Sequence, residues 1–89
     1  MPWHKIHLSL DDITAGKQIR IQEEFEALFI AVHGPKDMAL FSGPLDDEGL
    51  EMFFSPQAAR FAKGLIDKYG GEECEQPSHA GLALLVGHS

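Results

Sequence analysis

Residues 48–71 read EGLEMFFSPQAARFAKGLIDKYGG, and the Ser55-Pro56 step near the middle constrains the fold more than any other feature of the chain. Before it, Leu50, Met52 and Phe54 alternate with Glu51 and Phe53, which is the period of an extended strand with one buried face. After it, Ser55 can accept a hydrogen bond from the free amides of a helix. Pro56 fits the first helical position, where its missing N–H has no partner to lose. Ala58, Phe61, Ala62, Leu65, Ile66 and Tyr69 then recur at helical spacing as one apolar stripe, and Gly70 ends it after Lys68. A strand that runs straight into an amphipathic helix commits the chain to layered α and β structure.

The rest of the chain supplies the partners. KIHLSL at 5–10 puts Ile6, Leu8 and Leu10 on one side of a strand, with Lys5, His7 and Ser9 on the other. Asp11 or Asp12 then caps a helix, whose apolar line from Ile13 includes Ile21, Phe25, Leu28, Phe29 and Val32. HGP at 33–35 closes it. Ile19 and Ile30 point away from that line, and a rival reading makes LFIAV at 28–32 a strand. The helix formers of RIQEEFEAL favour helix. MALFSG at 38–43 and LEMFFS at 50–55 flank PLDDEG, the signature of a hairpin with a polar loop. GEECEQPSHA reads as loop. GLALLVG reads as a last strand, with Leu82, Leu84 and Val86 on one face and Ala83 and Leu85 on the other.

The order β-α-β-β-α-β resembles the split βαβ plan called ferredoxin-like. The resemblance implies one α+β domain over 1–89, a two-layer sandwich with two helices on one face of a four-stranded antiparallel sheet. The first and third strands would be central, with the second and fourth at the edges. It implies a fold and no activity. It also leaves one sheet face open, where Phe41, Phe53 and Leu85 would cluster around His7 and Glu51, with Ile30 a further exposed apolar group. Such clusters mark a partner or ligand surface.

Composition narrows the partners. The 89 residues carry 14 acidic against 7 basic side chains, a net charge of −7, and the basic ones are scattered without a stripe. Phosphate backbones and anionic membranes are therefore poor partners. The one cysteine, Cys74, excludes an internal disulfide, and no stretch reads as a signal peptide or membrane span, so the expected location is the cytoplasm.

No motif names a cofactor or substrate. His4 and His7, three apart on a strand, face opposite ways and cannot share a metal ion. DDEG at 46–49 lacks the ligand pattern of a calcium loop and reads as a turn. Cys74 lies between Glu73 and Glu75, whose charge disfavours a thiolate. Trp3 and Tyr69 read as rim residues of a small core. The acid–base candidates are His7 paired with Glu51, and His33. Two readings follow. One is a non-catalytic interaction module, homodimer or adaptor, docking a partner or small ligand on the open sheet face through Phe41, Phe53, Leu85 and Ile30. The alternative is a small dimeric enzyme with a histidine in a pocket between sheet and helices.

Overall fold

A computed structural model describes residues 2–32, 38–78 and 81–87. In chain order the elements are β1 (Trp3–Leu8), α1 (Leu10–Thr14), α2 (Lys17–Val32), β2 (Leu40–Ser42), β3 (Leu50–Phe54), α3 (Pro56–Phe61), α4 (Lys63–Lys68), β4 (Glu72–Cys74) and β5 (Ala83–Val86). The strands form one sheet in the order β4-β1-β3-β2-β5, every neighbouring pair antiparallel. This is an α+β domain, but the four-stranded plan is corrected to five strands. Glu72–Cys74, read as loop, pairs with Trp3–Lys5 at one edge, and the last strand pairs with β2 at the other. An acidic three-residue strand held by its backbone has no alternating apolar pattern to announce it.

The core follows the strand period. Ile6, Leu8, Leu40, Leu50, Met52 and Phe54 are buried on one sheet face, against Ile21 and Phe25 of α2 and Ala58, Leu65 and Ile66 of α3 and α4. The Phe25 and Phe54 rings meet edge-on, 5.6 Å between centroids. The Ser55 cap is present: its hydroxyl accepts from the Ala58 N–H at 3.4 Å, with Pro56 in the first turn. Gly49 makes the hairpin compact, because at φ +113° it lies so close to β1 that a Cβ would fall 1.9 Å from the Leu8 carbonyl oxygen.

Both expected helices are broken in two. The first starts earlier than the aspartates suggest: Ser9 is the N-cap, and Ser9 and Asp12 exchange backbone–side-chain hydrogen bonds of 3.1 and 3.2 Å in a capping box. Leu10 is therefore the first helical residue rather than an inward strand residue, and stands exposed. Gly16, at φ +81°, separates α1 from α2. Residues 28–32 belong to α2, so the strand reading of LFIAV is set aside. The second helix breaks at Ala62, whose backbone leaves helical geometry at φ −101°, ψ 24°. Phe61, just before the break, stands exposed against its expected place in the stripe, and Ala59 is buried with Ala58 and Ala62.

The last strand also differs in its faces. Leu40 pairs with Val86 and Phe41 with Leu84, so one residue of β5 bulges between them. Leu85 packs against the core, and Leu84 stands exposed in register with Phe41. The expectation that Leu85 faces outward is corrected by this bulge, which a strict two-residue period cannot register.

Candidate functional site

The sheet face turned away from the helices is the candidate site. Pairing puts Lys5 opposite Phe53, His7 opposite Glu51 and Phe41 opposite Phe53, so these side chains share one face of three adjacent strands. Trp3 joins them from β1. Its ring lies 5.8 Å from that of Phe41, reaching across the intervening β3. Leu84 extends the apolar strip at the β5 edge. Gly43 keeps its end close, since a Cβ there would lie 3.3 Å from the Phe53 ring.

The polar half of the face centres on Lys5. Its ammonium is 3.0 Å from Glu51 and 3.9 Å from Glu72. The Glu51 carboxylate, by hydrogen bond and charge, holds the lysine above its ordinary value. His7 lies opposite Glu51 and is exposed, but the carboxylate's ion pair runs diagonally to Lys5. His7, Glu51 and Phe53 line an open hollow of about 260 Å³ together with Asp46 and Glu48 of the hairpin loop. In the loop, the Asp46 carboxylate accepts from the Glu48 N–H at 2.8 Å, the turn that DDEG implies.

Cys74 pairs with Trp3 across β1 and β4. Burial pushes its thiol up, Lys5 opposes this, and Glu51 and Glu72 add to it. The sequence neighbours Glu73 and Glu75 are not the cause. The charges that reach the thiol are Lys5 and Glu51 from across the sheet and Glu72 from its own strand.

Other nominated residues fall elsewhere. His33 lies outside the described residues. Ile30 is exposed on α2, on the helix side of the sheet, and does not join Phe41 and Phe53. Leu85 is in the core layer. Sequence reasoning placed Trp3 at a core rim and Leu84 inward, and both stand on the open face. The bulge that moves Leu84 leaves no mark in the sequence, whereas Trp3 was legible as the start of the β1 alternation with Lys5 and His7.

A second, larger hollow of about 460 Å³ opens where α3 and α4 meet the β1–β4 edge, with His4, Arg60, Lys63, Asp67 and Glu73 on its wall. Among the described residues, His4 Nδ1 is buried there without a hydrogen-bond partner. Among the described residues, no group of three or more His, Cys, Asp or Glu side chains is placed to hold a metal ion. None of the described helices is long and apolar enough to cross a membrane. No family model matches the chain, and neither a curated protein nor a solved structure matches it.

Proposed function

We propose that the protein is a non-catalytic interaction module, a homodimer or an adaptor, built as a ferredoxin-like core extended by β5. Its open sheet face docks a protein partner or a small ligand. The observation that carries this reading is the half-buried strip Trp3–Phe41–Phe53 on the sheet face turned away from the helices, beside an ion-paired Lys5. Aromatic side chains gathered on a rigid sheet offer large contact area at little entropic cost. A cytoplasmic setting fits the single cysteine. The test is a ligand-stabilisation screen run on the wild type and on Phe53→Lys, since a ligand of the folded state raises its melting temperature by mass action. Ligands that stabilise the wild type and lose that effect in Phe53→Lys support the open face. Ligands equally effective on both place the docking site elsewhere.

The enzyme alternative draws on one observation, a hollow between helices and sheet whose wall includes a histidine with a buried nitrogen that has no partner among the described residues. That histidine is His4 rather than His7 or His33. A ligand from the screen whose effect survives Phe53→Lys and disappears in His4→Ala would favour this hollow.

A further inference from the structure

The two edges of the sheet are unlike. At one, β4 exposes Glu72 and Glu73, and Glu75 follows. At the other, β5 exposes Ala83 and Leu84, and no Asp, Glu, Lys or Arg occurs in the sequence after Glu75. Short charged edges deter the addition of another strand, whereas uncharged apolar edges accept it.

The helix beside that second edge carries an unexplained stripe. α2 is the helix that packs against β5, while α3 and α4 pack against β1. Ile19 and Ile30 are 61% and 68% exposed. At 3.6 residues per turn they lie within about 20° of one another around α2, and about 130° from the buried line Ile21–Phe25–Phe29. Glu24 and Leu28 lie about 80° to the other side of that line. There Glu24 meets Lys68 and Tyr69 at 2.8 and 2.6 Å. The two isoleucines therefore sit on the flank of α2 turned away from α4, which is the β5 side of the molecule.

We propose that the β5 edge and the Ile19–Ile30 flank of α2 together form the seam of a homodimer. β5 pairs antiparallel with β5 of a second copy, joining two five-stranded sheets into one. A two-fold axis generates that antiparallel pair from a single edge, and sets the two α2 helices side by side beneath it. Charge selects this edge for a second copy. Each copy carries −7, and β4 edges would bring carboxylates together, whereas β5 edges bring none. Glu23 and Glu26 share the isoleucine flank of α2, so some repulsion persists and added salt tightens the dimer by screening it. The inference rests on the homodimeric form of the reading above and leaves both open faces uncovered on one surface of the joined sheet.

Sedimentation equilibrium of the full chain, from micromolar to near-millimolar concentration at low and high salt, tests the seam. The expected result is a mass about twice the 9.8 kDa monomer, with association tightening as salt rises. Ile30→Lys and Leu84→Lys should each raise the dissociation constant at least about tenfold. Ile19→Lys reads the same seam from a helix position that cannot disturb β5, and Phe53→Lys should leave the dimer intact. Circular dichroism confirms that each variant is folded. A strict monomer at near-millimolar concentration overturns the seam and leaves the adaptor reading standing. A dimer that Phe53→Lys splits and Ile30→Lys does not, or one that salt weakens, also overturns the seam. The first of these would place the second copy on the open face.

Discussion

Ser55 does two jobs with one hydroxyl. Besides capping α3 it accepts a hydrogen bond from the Ala39 N–H at 3.1 Å, which ties the segment entering β2 to the end of β3. The cap was legible from Ser-Pro after an apolar alternation. The second bond was not, because Ala39 lies sixteen residues away. Removing the hydroxyl leaves two backbone amides without their acceptor, so Ser55→Ala should cost about 1–3 kcal/mol. A lowered midpoint in urea with unchanged slope is the expected outcome, and an unchanged midpoint would contradict both roles. Gly49 makes a similar point. DDEG reads as a turn from its residues, but the approach of Gly49 to the Leu8 backbone depends on β1 lying alongside the hairpin.

Among the elements, α2 and α4 are linked by one carboxylate. The Glu24 side chain accepts from Lys68 at 2.8 Å and from the Tyr69 hydroxyl at 2.6 Å. The lysine first, then the tyrosine, hold its pKa below the ordinary 4.5. A carboxyl whose folded pKa is depressed binds its proton more readily in the unfolded chain. Its contribution is therefore full above the ordinary value and is lost as pH falls through the depressed one. At neutral pH Glu24→Gln should be less stable than the wild type, and the gap should narrow as pH drops below about 4.5. Urea midpoints of both proteins at pH 7 and pH 3 check this, and a gap that stays constant would show that the link carries no charge. Arg20 stands four residues from Glu24, the spacing of a helical ion pair. In the fold Glu24 turns to α4, and the Arg20 guanidinium donates to the Ala15 carbonyl oxygen at 2.9 Å.

At the scale of the whole molecule, the only tryptophan reports on the open face. Trp3 is half-buried against Phe41, on the side of the sheet opposite to α2 and its exposed isoleucines. If two copies join along β5, acrylamide quenching of Trp3 should be the same below and above the dimerisation concentration. If they meet face to face, quenching should fall as the dimer forms. Binding of an open-face ligand should reduce quenching in either assembly. One fluorescence titration therefore separates the edge from the face.

Local rules determined much of this protein from its sequence. Alternation in 50–54 and 5–8, the Ser-Pro cap, the DDEG turn and the long helical line through Ile21 and Phe25 each depend on residues within a few turns of one another. Short-range geometry and burial suffice for those. The candidate face was half legible: alternation alone turns Lys5, His7, Glu51 and Phe53 outward together. Tertiary structure decided the rest. β4 exists because β1 offers it an edge, and its own residues carry no strand pattern. The bulge exchanges Leu84 for Leu85 because β5 must follow the register of β2. Glu51 pairs with Lys5 rather than His7 because the twist of adjacent strands brings the diagonal pair within reach. Contacts between distant segments depend on how whole elements lie against each other, and no window of sequence contains that information.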